Sequence, residues 1–513
     1  MIGAGGMTLL CTAVVLGCIG VVSSLNPGFQ AKITAAGLNY ANENAIEQLS
    51  ASMKDKKFNI PSGKAGKVSF SVTDAEITEF SVPTPFTSLK PIQGSGLQWS
   101  AANIRVSMKA NFKYTVHKFI KFSDHGRFDV SVSRVSFIVR AIFGMDTTGR
   151  PSIKAGPCSS DIGSLSLKFH GGMSWIYNLL RGIFEHKIKD VLNDKMCDVI
   201  GKLLNENAEK SLSSLKVTAS LGKLFQLDYT LTDSPKFTSS YMETYHKGEI
   251  DWKSAPSPPP FHAPPLPPWN DTSRMMYVWV SDYMMNSLLY QAQKHNFLSY
   301  NMTAQDLPAG SRGVLNTTCT DSICIGNFIP ALQKKYPNCQ LELLMKSTKK
   351  SDIAVVNGAV ETRMYGSISL YASPVNTLYF KPGIPDHELR KNIYDFPPRQ
   401  AGNSGNYILT MDANMTMTGK ISVDDRRMHF KVNNMSIAVS LQNSAVSNVT
   451  EKALNFLIKY AVQKFVQPSI DGLGQIGIPL PLGKVTLKNA EVVLLKHAFI
   501  IATDVEYHPD DKF

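Results

Sequence analysis

No Asp, Glu, Lys or Arg occurs in the first 25 residues of this 513-residue chain. Beyond them, no stretch approaches the ~18 uninterrupted apolar residues that a membrane helix needs. Signatures of catalysis are missing too. There is no Gly-x-Ser-x-Gly elbow, since Gly402-Asn403-Ser404-Gly405 misses the spacing. His387-Glu388 lacks the second histidine of a zinc helix, and no Gly-x-x-x-x-Gly-Lys loop occurs. These absences argue against an enzyme and call for no cofactor and no metal. The +12 net charge, with a pI near 9.1, selects acidic partners. Nucleic acid is excluded among them because no reader motif accompanies the charge.

Length then sets the plan. At 43% hydrophobic and 18% charged the chain is globular, and 513 residues predict two domains of roughly 250 residues each. The apolar run Leu9–Val22, followed by small residues, has the length of a signal-peptide core, with cleavage expected near Ser24; the alternative is an N-terminal anchor. The mature chain is therefore expected to be soluble, secreted and extracellular. It keeps Cys158, Cys197, Cys319, Cys324 and Cys339, so a bridge in each half leaves one thiol over. Six Asn-x-Ser/Thr sequons fall at Asn270, Asn301, Asn316, Asn414, Asn434 and Asn448, and none lies before residue 270. A glycan coat on one half would leave the other bare. That other half is the more basic, with 28 Lys and Arg against 20 Asp and Glu over residues 26–250.

The boundary between halves is APSPPPFHAPPLPPW, residues 255–269. Its prolines fix φ and remove backbone donors, so it is expected as an extended, semi-rigid strap that stays out of any sheet interior. It serves as a spacer, or alternatively as a proline-rich ligand for an aromatic groove. The division is 1–24 signal peptide, 25–253 N-terminal barrel, 254–272 linker and 273–513 C-terminal barrel. Helix, sheet, helix, strand is read twice. Leu38, Ala41, Ala45, Leu49 and Met53 mark the first helix, and Ile176, Leu180, Phe184, Ile188 and Val191 a long one over about 174–204. After the strap, Met284, Leu288 and Ala292 mark a helix, and Leu454, Leu457, Ile458, Ala461 and Phe465 another.

The strands alternate cleanly. Leu409, Met411, Ala413, Met415 and Met417 share one face, opposite Asn414. From Ile104 to Val116 the even positions are apolar, while Arg105, Lys109 and Lys113 sit among the odd ones. The register shifts near Lys118, and Phe119 to Phe122 enter a second strand. A long β-hairpin with a basic outer face suits a phosphorylated lipid. Phe112, Tyr114, Phe119 and Phe122 are read as interleaved with its cations.

Six segments carry a specific likeness: NPGFQAKITAAGLNYA, FSVTDAEITEFSVP, NIRVSMKANFKYTVHKFIKFS, the Cys158/Cys197 pair, PPPFHAPPLPPW with MMYVWVSDYMMNSLLYQ, and IPLPLGKVTLKNAEVVLLKHAFIIATDVEY. In this order the chain resembles, over residues 26–508, the family of bactericidal/permeability-increasing protein and lipopolysaccharide-binding protein. The resemblance implies an α+β boomerang of two pseudo-symmetric barrels. Each is a twisted antiparallel sheet wrapped on a long helix with an apolar phospholipid pocket, and a central sheet joins them. It also implies a Cys158–Cys197 disulfide. The C-terminal trio stays open between Cys324–Cys339 and Cys319–Cys324.

For the polar head, the resemblance places lipopolysaccharide (lipid A) on a basic tip. Lys109, Lys118 and Lys121 match best, Arg105 lies on the same strand, and Lys64 or Lys67 matches a neighbouring loop. Lys113 lies in an insertion, and Lys54, Lys56 and Lys57 extend the positive field. The expected function is a secreted innate-immunity protein that binds Gram-negative outer-membrane surfaces and is antibacterial. The alternative is an extracellular phospholipid-transfer protein of the same fold.

Overall fold

The computed structural model describes residues 26–117, 121–171, 174–307, 309–319, 324–375, 405–463, 467–480 and 484–508. Residues 1–24, expected as a signal peptide, and Lys118 lie outside them. Strand β1, Phe29–Ile33, leads into helix α1, Ala35–Met53, which starts at Thr34, whose side chain accepts from the Gly37 N–H at 3.5 Å. Leu38, Leu49 and Met53 are buried as the periodicity predicts, but Ala41 is exposed and Asn42 takes its place inside. The polar side chain is tolerated there because both ends are bonded. Trp99 Nε1 donates to Asn42 Oδ1 at 3.1 Å, and Asn42 Nδ2 donates to Thr87 Oγ1 at 2.8 Å.

The N-terminal sheet follows: β2 Lys57–Phe58, β3 Gly63–Ala65, β4 Val68–Ser81, β5 Thr87–Ile92, β6 Gly96–His117, β7 Lys121–Met145, β8 Pro151–Asp161 and β9 Ser164–His170. The strand order is β2-β4-β6-β7-β8, with β3 on β4, β5 on β6 and β9 on β7. The expected alternation holds along β6, where Ile104, Val106, Met108, Ala110, Phe112, Tyr114 and Val116 are all buried. Their face meets helix α2, Ser174–Lys202, through Ile176, Leu180, Phe184 and Ile188. The stripe then passes to Leu192 and Met196, leaving Val191 half-buried. Phe184 is in ring contact with Phe70, Phe112, Phe128 and Phe169, so aromatic rings fill the space between helix and sheet.

Beyond Ser347 the second half repeats the plan with strands Ala359–Pro374, Asn406–Val423 and Arg427–Ser444 in antiparallel order. The helical segments Glu451–Ala461 and Gln467–Ile476 cover this sheet, and Phe465 lies outside the described residues. Cys158 of β8 is bridged to Cys197 of α2. Cys319 pairs with Cys324, and Cys339 is free.

Both sheets end in a sealed edge. The outward N–H groups of Ile153 and Ala155 on β8 donate to Glu209 Oε2 (2.6 Å) and Asn205 Oδ1 (2.7 Å), which continue the α2 region. In the second half, Val432, Val439 and Leu441 donate to Asp471 (3.1 Å), Asn455 (2.9 Å) and Glu451 (3.2 Å) on the covering helices.

A six-stranded central sheet joins the halves, with β1 pairing Met242–His246 on one side and Met276–Ser281 on the other. The proline strap forms no strand and lies on this sheet. Leu266 and Trp269 pack against Tyr277, Trp279, Ile500 and Ala502. No helix among the described residues is long and apolar enough to cross a membrane.

Candidate functional site: the cationic end of the N-terminal sheet

Pairing fixes which cations share a neighbourhood. His117 faces Lys121 across β6 and β7, and its N–H donates to the Lys67 carbonyl at 2.7 Å. The row Lys64–Ser69–Thr115–Ser123 comes next, then Ser71–Lys113–His125, then Thr73–Asn111–Arg127–His170. Lys64 and Lys67 flank the β3–β4 turn, where Gly66 adopts φ +58° and a side chain would be strained.

Lys64, Lys67, Lys113, Lys121 and Arg127 are exposed, and none of them forms an ion pair among the described residues. The acids nearby are engaged by uncharged donors. Asp124 accepts from Tyr114 Oη (3.3 Å) and the His125 N–H (2.8 Å), and Asp74 from Asn111 Nδ2 (3.0 Å).

Lys109 belongs to a different environment. Eight residues from His117 correspond to about 27 Å of strand, and the twelve to Arg105 to about 40 Å. At that level the outer face carries a cross-strand ladder of alternating sign: Lys57, Glu76, Lys109, Asp129, Lys168. Lys109 Nζ lies 3.3 Å from Glu76, and Asp129 also holds His170 Nε2 at 2.8 Å. Opposite charges in register stabilise a sheet and leave little net field. Lys56 and Lys57 therefore sit beside Glu76 and away from the tip. Arg105 borders a separate cavity with Glu79, Ser107, Ser131, Ser133, Ser164 and Ser166.

Of the aromatics read as interleaved with the cations, Phe112 and Tyr114 are instead 2% and 0% exposed on the opposite, inner face. Strand alternation itself excludes them, because even and odd positions cannot share a side. Phe122 is exposed at the tip; Phe119 and Ile120 lie outside the described residues. Arg127 escaped the sequence reading, although folding the hairpin about 118–120 sets it opposite Asn111.

The sequons divide by setting. Asn270, Asn414, Asn434 and Asn448 are exposed, whereas Asn316 and Asn301 are half-buried. Asn316 Oδ1 accepts from Gln340 (3.0 Å). Asn301 Nδ2 donates to Glu342 at 3.3 Å, and its buried Oδ1 has no partner. A sugar on that nitrogen would have to displace Glu342. Glycopeptide mapping after expression in a glycosylating host should find the four exposed sites occupied and Asn301 bare; full occupancy at Asn301 would contradict this.

Comparison with known proteins agrees with this architecture. The model of the LBP / BPI / CETP family N-terminal domain matches residues 37–215, and that of the C-terminal domain residues 219–382 and 384–507. The chain is 27% identical over 509 residues to the bactericidal permeability-increasing protein of Sebastes schlegelii, covering 98% of this chain and 100% of that one. It is 25% identical over 492 residues to the lipopolysaccharide-binding protein of Homo sapiens, covering 94% of each. A crystal structure of lipopolysaccharide binding protein superposes with TM-score 0.60 at 24% identity, over 94% of this chain and 100% of that chain. With both domain models matched in order along nearly the whole described chain, the protein belongs to the LBP / BPI / CETP family.

Proposed function

We propose that this protein is a secreted binder of lipopolysaccharide that takes the phosphorylated head at the cationic end of its N-terminal sheet and is antibacterial through that capture. One observation carries the reading: Lys64, Lys67, Lys113, Lys121 and Arg127 gather on one outer face, exposed and without ion pairs among the described residues, while Lys57, Lys109 and Lys168 farther along the strands lie in register with Glu76 or Asp129. Phosphate is a ligand such a face can hold through several charge-assisted bonds at once. Lys118 is assigned to the same tip by its place between His117 and Lys121. Acyl chains are assigned to the inner sheet faces. In the second half Met415 and Met417 are half-buried there, and their flexible thioethers can yield to a chain.

Binding of the full chain to lipopolysaccharide, against zwitterionic phospholipid vesicles as control, tests the reading. Affinity for lipopolysaccharide should fall by at least tenfold between about 0.01 M salt, where charges act over ~30 Å, and about 1 M, where they act over ~3 Å. Equal binding to both surfaces with no salt dependence would favour phospholipid transfer instead.

A further inference from the structure

Lys32 is a buried cation at the seam between the halves. Its residue, the fourth of five in β1, is 4% exposed and paired with Glu243 on the first-half side and Tyr277 on the second-half side. The ammonium lies 4.9 Å from the Tyr277 ring centre, 5.4 Å from Tyr241 and 5.5 Å from Trp279. It donates to the carbonyls of Trp269 (3.1 Å) and Asp271 (3.2 Å), where the proline strap ends.

The neighbouring carboxylates are committed elsewhere. Glu243 accepts from Gln30 Nε2 (3.1 Å) and Tyr245 Oη (2.7 Å), and Asp271 from the Ser273 N–H (2.9 Å) and hydroxyl (3.0 Å). Burial holds the Lys32 amine below the ordinary lysine range, with Glu243 and Asp271 opposing that from a distance.

The strap needs such a donor. Eight of the residues 255–269 are prolines, so the segment offers few N–H groups and must be gripped by its carbonyls. Asn26 Nδ2 takes Ala263 O (3.0 Å), Trp279 Nε1 takes Pro267 O (3.0 Å) and Gln291 Nε2 takes Ser257 O (2.6 Å). Lys32 grips two carbonyls and is the charged member of the set.

We propose that Lys32 is the pin of a latch that fastens the end of the proline strap across the seam and so fixes how the two halves are held. Closed, the latch gains two hydrogen bonds and three ring contacts; open, it returns the ammonium to water. These effects oppose one another, so the strap is held by a margin that one side chain controls.

Hydrogen exchange by mass spectrometry on the full chain tests this, comparing peptides over 261–275 with peptides over 104–116. Lys32→Met keeps the apolar stem and removes the donor. Exchange over 261–275 should quicken about tenfold or more, with 104–116 unchanged. Tyr241→Leu removes one ring and no strand hydrogen bond, and should quicken the strap by a few-fold. An unchanged strap in a folded Lys32→Met protein would overturn the latch and leave Leu266 and Trp269 packing as the fastener. Should Lys32→Met fail to fold, the Tyr241→Leu result decides in the same way.

Discussion

Replacing Lys64, Lys67, Lys113, Lys121 and Arg127 together with Ser should weaken lipopolysaccharide capture by at least 100-fold and leave the thermal midpoint nearly unchanged. None of the five fills core space, and surface substitutions usually stay within about ±0.5 kcal/mol each. Charge-assisted contacts to phosphate contribute roughly 1.5–3 kcal/mol apiece where water is partly excluded, so losing two is enough for the predicted effect. The ladder supplies the matched control. Replacing Lys57, Lys109 and Lys168 with Ser removes the same kind of charge from the same face, yet each is paired in register with Glu76 or Asp129. That variant should keep capture within a few-fold and lose about 1–2 kcal/mol of stability. Equilibrium binding and denaturant titration of both variants would separate the two sets. Equal loss of capture in both would mean that overall charge, rather than the unpaired cluster, attracts the ligand.

Phe184→Ala should cost about 3–5 kcal/mol, the largest single-residue effect expected in the first half. The side chain is fully buried and touches four other rings, so truncation empties the centre of the aromatic cluster between α2 and the sheet. Denaturant unfolding of the variant measures this directly. A loss below about 1 kcal/mol would show that the rings close over the gap, as they would if this space were built to deform around a lipid chain.

How much of this could be read in advance varied with the physics involved. Strand alternation is local, and β6 obeys it at every even position from Ile104 to Val116. The strap was legible because proline restricts its own backbone wherever it occurs. Asn42 was not, since its burial depends on Trp99 and Thr87 arriving from other strands. The ladder was equally hidden: Lys57, Glu76, Lys109, Asp129 and Lys168 are spread over more than 100 residues and align only once the register of five strands is set. Composition therefore showed a basic half but could not show which of its cations were already matched. The same long-range dependence explains why Lys109 and Lys121, close in sequence, belong to different environments.

The sealed edges bear on how copies of this chain meet one another. An open outer strand offers a row of N–H and C=O groups to which a strand from another molecule can add, the route to fibrous association. Here that row is occupied on β8 by Glu209 and Asn205, and on Arg427–Ser444 by Glu451, Asn455 and Asp471. The occupants ride on helices that also cover the apolar face, so at these positions a foreign strand can dock only after a helix has lifted away. Self-association through these edges is thus tied to the free energy of local unfolding rather than to surface collisions. If the proposed capture concentrates the protein at a lipid surface, that coupling protects it there.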